Sequence, residues 1–108
     1  MEIRFPFFLN LDVEYFVYII FSSSRNRYYV GFSEDPEVRL VKHNSGATTS
    51  TRSGRPWILV YQERFSDKTS AMKREKQIEN MKSRLYIENL KKIVVKLPLR
   101  RITAGNSR

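Results

Sequence analysis

Seven consecutive residues, Tyr15-Phe16-Val17-Tyr18-Ile19-Ile20-Phe21, set the strongest constraint on how this chain can fold. All are aromatic or apolar, and three are β-branched, which describes a strand buried on both faces. Ser22 to Asn26 supply a polar turn, and Arg27-Tyr28-Tyr29-Val30-Gly31-Phe32 then reads as a second strand. The two form a hairpin. Trp57-Ile58-Leu59-Val60-Tyr61 makes a third strand that runs on toward Phe65.

Helix signals fill the gaps. Asp35 caps, Pro36 suits the first helical position and Glu37 favours the positive end of the dipole, so a helix is expected to Asn44, stopping before Gly46. Residues Ala47 to Pro56 read as a polar loop. Ser66-Asp67 opens a second helix to Lys82, with Ala71, Met72, Ile78 and Met81 on its apolar side. A third begins near Ser83, packs back through Leu85, Leu90, Val94 and Leu97, and is expected to end at Pro98. The order is β-β-α-β-α-α: an α+β, sandwich-like domain in which a small three-stranded antiparallel sheet carries helices against one face. Residues 1–14 form an N-terminal extension, 15–97 the domain, and 98–108 a basic tail with a frayed end.

Composition narrows the chemistry. Twenty Lys and Arg against eleven Asp and Glu leave a charge of +9 on 108 residues, a balance that attracts polyanions. Cysteine is absent and there is one histidine, which excludes disulfides, thiolate catalysis and zinc clusters of the Cys or His type. A metal here would use oxygen ligands, which favours Mg²⁺ or Mn²⁺. No apolar run approaches the roughly 20 residues that span a bilayer. The opening segment is interrupted by Pro6 and lacks a small-residue cleavage site, so no membrane and a cytoplasmic location are expected.

A few residues stand outside a purely structural pattern. Glu75 lies on the same helical stripe as Ala71 and Ile78, where a carboxylate is costly unless paired or metal-bound. Arg39 and His43, four apart, share a helix face that could hold a phosphate, although a solvated face would look the same. Tyr18 and Tyr29 place phenols inside strands, where each needs a partner if buried. Thr51, Arg52 and Arg55 suit phosphate contact and suit an ordinary loop equally.

As an ordered set these positions resemble the GIY-YIG nuclease superfamily. Val17-Tyr18-Ile19 and Tyr29-Val30-Gly31 are similar to its two naming tripeptides, and the likeness continues through Arg39-Leu40, His43-Asn44-Ser45-Gly46, Thr51, Pro56-Trp57, Leu59-Val60-Tyr61, Glu63, Phe65, Ala71, Arg74-Glu75 and Ile78. It looks closest to small stand-alone bacterial members, and to the nuclease module that opens the incision subunit of nucleotide-excision repair. Some members carry Lys after the second tripeptide, where Phe32 stands here, and Glu79 replaces a usual Lys.

The resemblance implies an Mg²⁺-dependent (or Mn²⁺-dependent) DNA endonuclease acting in repair, recombination or processing. Glu75 would bind the metal, Arg39 would stabilise the transition state, His43 would assist, and Tyr18 or Tyr29 would activate the water. Arg27, Lys42, Asn44, Thr51, Arg52, Arg55 and Arg74 are the expected nucleic-acid contacts. The partner is DNA, with RNA the other polyanion that the charge admits, and the chain acts as a monomer or homodimer. The rival readings are a catalytically silent nucleic-acid-binding module of the same fold and a basic protein that docks on an acidic partner.

Overall fold

The computed structural model describes residues 13–101. Most of the expected 1–14 extension, the tail beyond 101 and the side chains of Val94 and Leu97 lie outside that description. The chain runs β1 (Tyr15–Ser22), β2 (Arg27–Ser33), α1 (Pro36–Ser45), α2 (Thr49–Arg52), β3 (Trp57–Phe65), α3 (Lys68–Met81) and α4 (Arg84–Arg101). The strands form one antiparallel sheet in the order β2-β1-β3. The apolar β1 is therefore central, and Val17 to Ile20 are all buried.

The α+β, three-stranded reading of the sequence holds, but helices cover both faces of the sheet instead of one. On one side Val17, Ile19, Val30 and Tyr61 pack with Ala71 and Ile78 of α3 and Leu90 of α4. On the other, Tyr18, Ile20 and Trp57 pack with Tyr29, Leu59 and Leu40 of α1. A strand whose alternate residues are all apolar presents two faces, and each must be removed from water.

Three further expectations change. A short helix, Thr49–Arg52, interrupts the expected loop. Met72 and Met81 are exposed, so the buried stripe of α3 narrows to Ala71 and Ile78, and Leu85 of α4 is exposed as well. The last helix does not stop at Pro98 but continues to Arg101. Proline's fixed φ is itself helical, so the backbone can continue with the loss of one hydrogen bond.

Caps fix the two helices that matter for the site. The Asp35 carboxylate accepts from the N–H groups of Glu37 (3.1 Å) and Val38 (3.3 Å), and Gly46 closes α1 in the left-handed region at φ 86°. Asp67 accepts from the Ser70 N–H at 2.8 Å to open α3, which ends at Lys82 with φ 47°.

Candidate active site

Tyr18 pairs with Gly31 on the edge strand, and Ile20 with Tyr29, so both tyrosines lie on the face covered by α1. The Tyr18 ring crosses β2 over Gly31. A β-carbon at position 31 would stand 2.6 Å from the phenol oxygen, far inside contact distance. Glycine at this position is therefore what lets the phenol reach α1.

There it meets His43. The phenol oxygen is 2.9 Å from His43 Nε2, and His43 Nδ1 is 2.8 Å from Thr51 Oγ1. The Thr51 hydroxyl in turn donates to the Thr48 carbonyl at 3.3 Å. Tyr18, His43 and Thr51 are all at most 1% exposed. The Tyr29 ring stands edge-on to His43, with centroids 5.0 Å apart, and is only half-buried.

Arg39, one turn before His43 on α1, lies beside this group. Its Nε is buried and has no hydrogen-bond partner. A guanidinium nitrogen held dry without an acceptor is costly unless an acceptor arrives with a ligand. A cleft of about 550 Å³ opens at Arg39, between Phe32 and Val38.

Of these side chains, Tyr18 also feels the charge of Glu75. Burial raises the Tyr18 pKa; Arg39 works against that rise, while the neighbouring Tyr29 and Glu75 add to it. Glu75 thus acts on the phenol although α3 belongs to the opposite layer. Burial lifts the Glu75 carboxyl too, with Glu79 adding and Lys76 opposing. Ion pairs among the described residues join Arg64 to Glu14, Arg74 to Glu63 and Arg84 to Glu88, and none involves Glu75. His43 is held below its ordinary value by burial and by the positive charges of Arg39 and Lys42, so it is neutral at pH 7.

The residues expected to touch nucleic acid divide into two groups. Arg27, Lys42, Arg52 and Arg55 are exposed. Arg52 Nε donates to the Gly46 carbonyl (2.9 Å) and Arg55 Nε to the Arg52 carbonyl (2.8 Å). Both flank a second cleft, beside Asn44 and Pro56, and both keep other guanidinium nitrogens free to donate outward.

Asn44, Thr51 and Arg74 are engaged inside the fold instead. The Asn44 amide donates to the Trp57 carbonyl (3.0 Å) and its oxygen accepts from the Trp57 N–H (2.6 Å), so it extends the sheet's pairing to α1. Thr51 is wholly buried behind His43, and its carbonyl accepts from the Trp57 indole N–H at 2.7 Å. Arg74 donates to Glu63 (2.8 Å), Gln77 (2.7 Å) and the Tyr86 hydroxyl (2.9 Å), tying α3 to β3 and α4. Short polar side chains and a guanidinium offered a sequence reading no sign that internal partners had claimed them.

Among the described residues no group of three or more His, Asp or Glu converges as a ready metal cage. Glu75, on α3, is the carboxylate whose charge is felt at the Tyr18 phenol. A single carboxylate, with water and substrate phosphate completing the shell, fits a hard divalent cation of the Mg²⁺ type.

The chain is 40% identical over 67 residues to a UPF0213 protein of Staphylococcus haemolyticus, covering 61% of this chain and 80% of that one. It is 41% identical over 66 residues to a UPF0213 protein of Staphylococcus aureus, covering 60% and 79%. A UPF0213 protein of Bacillus halodurans, solved by NMR in solution, superposes with a TM-score of 0.47 at 31% identity, over 74% of this chain and 84% of that one. The family model described as the GIY-YIG catalytic domain matches residues 14–89, from the residue before β1 into α4. The chain belongs to the GIY-YIG nuclease family.

Proposed function

We propose that this protein is a divalent-metal-dependent endonuclease that hydrolyses phosphodiester bonds in DNA, with one active site per chain. The observation that carries the reading is the Arg39 guanidinium, its Nε buried without a partner among the described residues, beside the Tyr18 phenol and on the wall of a cleft. A phosphate oxygen would supply the missing acceptor, and the same contact would stabilise charge as the phosphorane forms.

Tyr29 is the phenol suited to orient and deprotonate the attacking water. It is half-buried, whereas Tyr18 is sealed from solvent, has a raised pKa and already bonds His43. Glu75 would hold the divalent cation, whose bound charge would neutralise the phosphate and the departing oxygen. Exposed Arg27, Lys42, Arg52 and Arg55 would carry the flanking backbone, a sequence-independent attraction matched to the charge of +9. A role in DNA repair, recombination or processing follows from this activity, and a lone site nicks one strand.

The test is incubation with a panel of duplex, flapped, branched and single-stranded DNAs, with Mg²⁺, with Mn²⁺ and with EDTA. Metal-dependent strand cleavage that is lost in Arg39→Ala and Glu75→Ala supports the reading. Tight DNA binding that is indifferent to EDTA and leaves every substrate intact would turn it into a binding module.

A further inference from the structure

The hydrogen bonds behind Arg39 have a direction, and it can be worked out. Two arrangements of the protons are available between Tyr18 and Thr48. In the first, Tyr18 donates to His43 Nε2, His43 Nδ1–H donates to Thr51, and Thr51 donates to the Thr48 carbonyl. In the second, Thr51 donates to Nδ1 and Nε2–H donates to Tyr18.

The second arrangement strands the phenolic proton. Tyr18 is 1% exposed, so water is not at hand; Arg39 has only donors, and among the described residues the hydroxyl's one hydrogen-bond partner is His43, with neither Tyr29 nor Glu75 within bonding distance. The first gives every buried proton an acceptor: 2.9 Å to Nε2, 2.8 Å to Thr51 and 3.3 Å to Thr48. Leaving a buried donor unsatisfied costs more than separates the two tautomers of a histidine side chain in water, enough to decide between them.

We infer that Thr51 is a positioning residue: the buried Tyr18 phenol, which donates to Nε2, sets His43 in the Nδ1–H tautomer, and Thr51 accepts that Nδ1 proton and holds the ring, so that Tyr18 turns its remaining lone pairs toward Arg39. The result is a one-way chain from the Thr48 carbonyl, at the N-cap of α2, to the phosphate-binding guanidinium. Its members polarise one another in the same sense, and Arg39 is held where its Nε awaits the substrate. Thr51 touches no substrate. Its effect on catalysis runs through His43 and Tyr18. No proton need change hands along the chain during turnover.

The kinetic part of this inference rests on the nuclease reading; the tautomer does not. His43 is the chain's one histidine, so a ring ¹⁵N spectrum reports on it without overlap. Imidazole in water prefers the Nε2–H form, which makes the expected signature the unusual one. In the parent protein at pH 7.5, Nδ1 should resonate as the protonated nitrogen and Nε2 as the bare one. Thr51→Ser keeps the acceptor and the signature. Thr51→Val keeps the shape and loses the acceptor, so the Nδ1 proton is left without a partner and the Nδ1 resonance should shift away from the parent's.

Cleavage should fall about ten- to a hundredfold in Thr51→Val through kcat, with KM for DNA little changed, and Thr51→Ser should restore it. A parent spectrum with Nε2–H overturns the inference, and so does a Thr51→Val spectrum identical to the parent's. If Thr51→Val does not fold, the parent and Thr51→Ser spectra still decide the tautomer. The expected spectra from a protein that cuts no DNA would leave the chain of bonds standing and remove the nuclease.

Discussion

The Tyr18 phenol lies over Gly31 so closely that a methyl group at 31 would stand 2.6 Å from its oxygen. The second naming tripeptide thus ends in glycine here because a side chain from the neighbouring strand occupies that space. Gly31→Ala should displace Tyr18, break its bond to His43 and destabilise the fold by about 1–3 kcal/mol, the usual cost of overpacking. Thermal unfolding measures the second effect. A single-turnover cleavage assay under conditions where the variant stays folded measures the first, and activity equal to the parent's would count against the site.

Glu75 combines a functional expectation with a stability one. Glu75→Gln should lower cleavage about a hundredfold or more, the scale of losing one charge-stabilising group, and it should weaken the dependence on metal concentration. Because burial raises the carboxyl's pKa, the folded protein prefers Glu75 protonated. That contribution is complete below the unfolded-state pKa and is lost as pH rises through the folded value. The amide removes this penalty, so at pH 7 the variant should be at least as stable as the parent. Any gain should shrink as pH falls into the range where Glu75 protonates. Denaturant midpoints at several pH values check the sign.

His43 works in the opposite sense. Its folded pKa lies below the ordinary value near 6.5, so the folded state binds fewer protons than the unfolded one. The stability this confers is present above the unfolded value and is lost as pH falls through the folded one. Urea midpoints for the parent should decline between about pH 7 and pH 5, in a window set by that depression. His43→Gln should flatten the decline. An equally steep slope in the variant would show that other groups govern it.

The basic residues separate by readout. Arg52→Ala and Arg55→Ala should each reduce the slope of log affinity for DNA against log salt by roughly one, with unfolding temperature unchanged. Arg74→Ala should behave in reverse. It removes donors from Glu63, Gln77 and Tyr86, so the fold should weaken by about 1–3 kcal/mol while the salt slope stays. A reduced slope in Arg74→Ala would return that residue to the DNA-binding surface.

By itself the sequence determined the three strands and three of the four helices, in their order. The apolar run of β1, the Asp35-Pro36 start and Gly46 stop of α1, and the Asp67 cap of α3 all act within a few residues, and each appears where its local chemistry placed it. The four-residue spacing of Arg39 and His43 likewise fixed a shared helix face.

What the tertiary structure alone decided was which groups meet. Whether β1 would be covered by helices on one side or both, whether Thr51 and Asn44 would face water or the interior, and whether Arg74 would be free all depend on contacts between distant parts of the chain. A hydroxyl or guanidinium is equally at home in solvent and in a buried network, and its own residue type carries no mark of the partner that arrives from another element. The direction of the bonds from Thr48 to Tyr18 is the extreme case: it follows from burial, which no single segment possesses until the sheet and α1 have closed on one another.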